Sequence, residues 1–246
     1  MSAIHRLSSL ALTALLLWSA PALAEQRLRL SSGMHEPWTD STGTGFTNLF
    51  VAELFSRLGL TAEVTFNPAA ARALQLADDG TDDGLAARIA GLEADYPNLI
   101  RVPEPIYVND FVAVSAGPTA PVRGWGDLSG RSVAYILGWQ VFDNNVPPVR
   151  ELTHAKDSKQ LMGMLKSGRA EIILHERWQA EWQARLQGVT LTVHEPPLAS
   201  TPMYIYLHRR HADLVPRVAA ELAAMKAEGR AKVLMAKVMN RAGHTP

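Results

Sequence analysis

Arg27-Leu-Arg-Leu-Ser-Ser32, then after a loop Phe46-Thr-Asn-Leu-Phe-Val-Ala-Glu-Leu-Phe-Ser-Arg-Leu-Gly59, then Glu63-Val-Thr-Phe66, is the stretch that decides the fold. Leu28 and Leu30 alternate with arginine, the period of a half-buried strand. Val51, Leu54, Phe55 and Leu58 fall at i, i+3, i+4 and i+7, one face of a helix, and Gly59 stops it. Glu63 to Phe66 reads as a second strand. Strand, helix, strand is the repeating unit of a parallel sheet.

The unit recurs downstream. Pro68 to Ala77 reads as a helix, and Leu99 to Val102 and Phe111 to Ser115 read as two extended segments. Arg131 to Leu137 is an apolar strand running into Gly138-Trp139-Gln140, where a helix begins. Leu161, Met164 and Leu165 mark a helix capped by Asp157 or Ser158 and closed at Gly168. Glu171 to Leu174 is a short strand, Arg177 to Leu186 a helix, Val189 to Val193 a strand, and Met203 to His208 another. Helices end the chain, with Gly229 between them. The class is α/β throughout. Loop-rich segments rich in Gly and Pro bracket the middle of the chain, which implies two lobes and two chain crossings between them: residues 25–112 with 203–246, and residues 113–202. A single continuous sheet is the simpler alternative.

The N-terminus sets the compartment. Arg6 precedes an apolar run from Leu7 to Trp18, and Ala22-Leu23-Ala24 is a small-x-small cleavage site. This pattern is that of a secretory signal peptide, residues 1–24, and its apolar core is too short to span a bilayer. The chain has no cysteine, which excludes disulfides, thiolate nucleophiles and a lipid-modified cysteine after the leader. Its 24 basic and 24 acidic residues balance, with no basic run that would follow a phosphate backbone, so no nucleic-acid partner is expected. An exported, untethered protein of the periplasm is the expectation.

The order of landmarks resembles the periplasmic solute-binding proteins of the family 3 type, the amino-acid-binding branch of the two-lobed binding-protein fold, in a divergent form. Five stretches carry the likeness: Glu36-Pro37-Trp38, Gly45-Phe46, Arg101 to Tyr107 (RVPEPIY), Trp125 to Val133 (WGDLSGRSV) and Ser167 to Glu176 (SGRAEIILHE). The resemblance implies a clamshell of the type II kind, hinged at two crossings, and a ligand site in the cleft.

It also implies where that site lies. Trp38 stands where the family places an aromatic wall against its ligand, the alternative being a Trp packed on its own lobe; His35 shares its loop. Arg88 stands near the end of a first-lobe strand, where a guanidinium fork would hold a carboxylate; a surface salt bridge with Asp82, Asp83 or Glu93 is the alternative, and Arg72 competes for the role. The family's own carboxylate-binding arginine has no counterpart in Leu92 to Tyr96. Gly138, Trp139 and Gln140 follow a second-lobe strand where backbone N–H groups would face an anion. His175 and Glu176 end a strand where the family has an Asp for the ligand's ammonium group, and Glu176, like Arg88, is expected in a solvent-open cleft. Tyr107 and Tyr204 flank the hinge crossings and would add hydroxyls.

The function implied is capture of a small polar or amino-acid-like solute for delivery to an inner-membrane ABC permease or a sensory receptor, by a monomer without cofactor or catalytic residues. Two alternatives stand beside it. A dehydratase of the cyclohexadienyl or arogenate type on the same fold would need a general acid from Glu176, Glu36 or His175. A metal-binding protein is suggested by His35-Glu36, His175-Glu176 and His194-Glu195, none of which forms H-E-x-x-H.

Overall fold

A computed structural model describes residues 27–242, so the expected leader and its expected cleavage site lie outside the described residues. The opening unit forms as read: β1 (Arg27–Ser32), α1 (Phe46–Arg57) and β2 (Thr61–Phe66), with β1 and β2 parallel. After α1, Gly59 takes φ +73, the left-handed conformation that glycine adopts without a Cβ clash. Next come α2 (Ala70–Asp78), β3 (Gly84–Arg88), β4 (Leu99–Ser115), β5 (Ser132–Ile136), α3 (Gln140–Asp143), β6 (Glu151–Ala155) and α4 (Ser158–Lys166). β7 (Ile172–Glu176), α5 (Arg177–Gln187), β8 (Thr192–Val193), β9 (Ala199–His208), α6 (Val215–Ala227) and α7 (Arg230–Arg241) complete the order.

The strands lie in the order β2-β1-β3-β9-β4-β7-β5-β6, with β8 on β4. Two parallel triplets, β2-β1-β3 and β7-β5-β6, are joined through the antiparallel pair β9 and β4. Each triplet has its own core. Leu28, Leu30, Phe50, Leu54 and Phe55 pack with Val218 and Leu222 of α6 and Val238 of α7. In the other triplet and the adjoining end of β4 alternate residues face opposite ways, as strand geometry requires: Val112, Val114, Ala134 and Ile173 meet α4 and α5, while Ala113, Val133, Tyr135 and Ile172 meet Leu128 and Phe142.

Four elements differ from the sequence reading. Leu99–Ser115 is one strand rather than two segments, because β9 pairs along its length from Leu99↔His208 to Phe111↔Ala199; the prolines at 103 and 105 are absorbed as register shifts. β9 begins at Ala199, four residues earlier than expected, through the same pairing. β6 is unforeseen, since it is an exposed edge strand with little apolar signal. β8 is only two residues long. The cap of α4 is Asp157, whose carboxylate accepts from the Gln160 amide at 2.7 Å.

At Gly84 the partner strand comes so close that an added Cβ would lie 2.0 Å from the Tyr206 carbonyl oxygen. Backbone atoms cannot give way as a flexible side chain can. Gly84→Ala is therefore expected to destabilise by about 2 kcal/mol through forced separation of β3 from β9, measured by urea denaturation; an unchanged midpoint would refute this reading.

Candidate functional site

In parallel sheets, loops at the carboxyl ends of the strands build ligand sites. Here those ends are Ser32, Phe66, Arg88, Ile136, Ala155 and Glu176. The loop after β1 carries His35 and Glu36, and the ends of β5 and β6 lead to Trp139 and to Lys156-Asp157-Ser158. Together with Gln179 and Gln183 of α5 they enclose a cavity of about 240 Å³. The cavity thus joins residues from both triplets, which neither core could form alone.

Arg88 ends β3 beneath the loop after β1: its Nη2 lies 3.7 Å from the place a Cβ would occupy at Gly33. Its Nε and Nη2 are enclosed and have no hydrogen-bond partner. Asp82 pairs with Arg29, Asp83 with Arg210 and His211, and Glu93 with Arg101, so the salt bridge offered as Arg88's alternative does not form. Burial pushes the Arg88 pKa down from its ordinary value. The hydroxyls of Tyr107 and Thr47 are also enclosed, and they neighbour each other. Burial raises the Tyr107 pKa, which keeps that hydroxyl protonated.

Glu176 departs from the solvent-open position expected of it. It is fully buried (0 % exposed), and its carboxylate is already occupied. As the N-cap of α5 it accepts from the Trp178 amide (3.2 Å) and the Gln179 amide (3.0 Å), and its Oε2 also accepts from the Trp38 indole at 2.9 Å. Burial outweighs these donors and pushes its pKa up to about 7.

Trp38 turns inward rather than lining the cavity. It is 2 % exposed, stacks on Tyr107 with ring centroids 3.9 Å apart, and meets Phe46 edge-on at 5.5 Å. Its N–H reaches Glu176 from the other triplet. The aromatic faces of the cavity come instead from His35, which is exposed, and Trp139.

His175 is buried with a fixed proton position. The Glu176 amide donates to its Nδ1 at 2.8 Å, so the ring proton sits on Nε2 and points to Ser158 Oγ, 2.8 Å away. Burial lowers its pKa to about 3. Trp139 lies edge-on to it at 5.0 Å and parallel to Phe142.

The remaining expected residues are scattered. Gly138 (φ +86) and Gln140 are exposed, and the helix they open, α3, is four residues long, too short to present a substantial dipole. Arg72 is exposed on α2, outside the cavity lining. Tyr204 pairs with Arg88 in the sheet and receives Arg101 over its ring at 4.8 Å. The three His-Glu pairs stay apart: His194 is buried against Ser115 and the Val122 amide. Among the described residues no group of three or more His, Cys, Asp or Glu could hold a metal ion. Lys156, Gln179 and Gln183 escaped the sequence reading, and Ser158 entered it only as a helix cap; the place of Lys156 just beyond the end of β6 is the local signal that could have flagged it.

No family model matches the chain. An uncharacterized protein of Shewanella oneidensis is 25 % identical over 194 residues, covering 75 % of this chain and 72 % of that one. Among solved structures, the second substrate-binding domain of a putative amino acid ABC transporter from Streptococcus pneumoniae matches with a TM-score of 0.66 at 18 % identity, over 87 % of this chain and 100 % of that one. An ancestral amino-acid-binding protein, described as a precursor of cyclohexadienyl dehydratase, matches with a TM-score of 0.62 at 19 % identity, over 87 % and 95 %. The chain has the two-lobed periplasmic-binding-protein fold.

Proposed function

We propose that this protein captures a small polar solute in the cavity between two lobes, residues 25–112 with 203–246 and residues 113–202, and passes it to a membrane transporter or a sensory receptor. The observation that carries this reading is the cavity joining the His35 loop to the ends of β5 and β6, with the enclosed, partnerless guanidinium of Arg88 under the same loop. A buried polar group without a partner costs stability, and a ligand that satisfies it recovers that cost on binding. Among the described residues no helix is long and apolar enough to cross a membrane. The signal-peptide pattern of residues 1–24 supports export to the periplasm.

A thermal-shift screen of residues 25–246 against amino acids, polyamines, small carboxylic acids, sugars and divalent metals tests the reading, because a ligand of the folded state raises apparent stability by mass action. Arg88→Met is expected to weaken a carboxylate ligand by at least about tenfold, the loss of a charge-assisted contact, while leaving the unliganded melting temperature unchanged or raising it, since an unpartnered buried donor is removed. A screen with no stabilising compound would sink the proposal.

The enzymatic alternative needs an acid open to the cavity. Glu176 titrates near neutrality, but its oxygens already accept three N–H groups. His175 is neutral and donates to Ser158, which leaves exposed Glu36 as the acid able to reach a substrate. Turnover of prephenate or arogenate, lost in Glu36→Gln, would replace the binding reading with the dehydratase one.

A further inference from the structure

We propose that α5 is a rocker between two cavities, so that a gap behind it widens as the solute cavity in front of it narrows; this rests on the two-lobed reading above but not on the identity of the solute. Helical spacing divides α5 into two faces. Gln179 and Gln183, at i and i+4, line the solute cavity. Trp178, Glu181 and Arg185, at i, i+3 and i+7, line a second, outer cavity of about 530 Å³. The wall opposite them is α7, through Met235, Ala236 and Met239, and the buried rings of Trp38 and Tyr107 line the same space.

A helix that walls two gaps cannot approach one far wall without leaving the other when it turns about a point between them. Such a point is built here. Glu176, the residue before α5, accepts the Trp38 indole N–H at 2.9 Å, and Trp38 stacks on Tyr107 of β4, one of the two strands that join the triplets. The loop after β1 divides at the same place, since His35 and Glu36 line the solute cavity and Trp38 lines the outer one. The outer gap is also made to change width. Its α7 wall is largely thioether, which re-packs readily, and Arg185 crosses it on a long side chain to donate to the Met239 carbonyl at 3.1 Å. Bulk added to this gap therefore drives α5 toward the solute cavity, and bulk removed lets it fall back.

The chain has no cysteine, so pairs of introduced cysteines take spin labels at chosen positions alone. Ile89→Cys with Leu137→Cys reports on the solute cavity, because these exposed residues follow the ends of β3 and β5; exposed Leu186→Cys with Val233→Cys reports on the gap between α5 and α7. Both distances are read by pulsed electron resonance on residues 25–246 without solute. Ala236→Trp is expected to lengthen the outer distance and shorten the inner one, each by about 2 Å, the scale of helix shifts at interfaces. Trp178→Ala is expected to move both the opposite way, and it decides the matter if the added tryptophan prevents folding. Movement of the two distances in the same sense, of one alone, or of neither overturns the rocker. Solute capture is decided separately by the thermal-shift screen, so it can stand when the rocker falls.

Discussion

Glu176→Ala is expected to lower the stability of the unliganded protein by about 2–4 kcal/mol, since loss of an N-cap costs about 1 kcal/mol and an orphaned buried donor costs about 1–3 more. Three donors depend on this one carboxylate: the Trp178 and Gln179 amides at the start of α5, and the Trp38 indole. The amides lie where four N–H groups of any helix lack intrahelical partners. The indole is enclosed between Tyr107 and Phe46, and no water can replace the lost acceptor without opening that stack. Because Trp38 belongs to the loop after β1 and Glu176 to β7, the same contact also ties the two triplets together. Glu176→Gln keeps the side-chain volume and one acceptor oxygen, and is expected to lose roughly half as much. Urea denaturation with a melting-temperature measurement would decide the matter: a loss below about 1 kcal/mol, the typical net worth of one hydrogen bond, would mean that the cap and the tie contribute little.

How far the sequence discloses such contacts depends on whether the signal is local. The 3.6 and 2.0 periods of Arg27 to Phe66 are local, and they return β1, α1 and β2 nearly to the residue. The Asp157 cap is also legible, since a short acceptor three residues before Gln160 is a local arrangement. The union of β4 across Pro103 and Pro105 is not, because β9, a hundred residues away, supplies the pairing that overrides the prolines. The same distinction divides the site. Resemblance brings Arg88, Trp139 and His35 to strand ends and their loops, because the end of a strand is a local property. It does not say that Trp38 would face inward, since that follows from a hydrogen bond to Glu176 across 138 positions and a stack on Tyr107. A tryptophan in a loop reads the same whether it faces a ligand or a buried carboxylate.

Between pH 6.5 and pH 3 the wild-type protein is expected to lose on the order of 4 kcal/mol relative to His175→Gln, since each unit between folded and unfolded pKa is worth about 1.4 kcal/mol. His175 titrates at 6.5 when unfolded and at about 3 in the fold, so over that interval the unfolded chain binds a proton that the native one refuses. Its contribution to stability is complete above pH 6.5 and disappears as the pH falls through about 3. Glu176 runs in the opposite sense: with 4.5 unfolded and about 7 folded, it favours the native state below 4.5 and loses that advantage as the pH rises through 7. From 4.5 to 6.5 the two slopes cancel, which leaves a plateau bounded by a fall below it from His175 and a fall above it from Glu176. Ion-paired carboxylates such as Asp83 and Glu53, whose pKa values are lowered, add their own acid fall, but they do so equally in both proteins. The difference between wild type and His175→Gln therefore isolates the imidazole. The glutamine can still accept from the Glu176 amide and donate to Ser158 without taking up a proton. Denaturant curves at pH 3.5, 4.5, 5.5 and 6.5 that run parallel for the two proteins would show that His175 can protonate inside the fold, and hence that its surroundings open to water more readily than its enclosure implies.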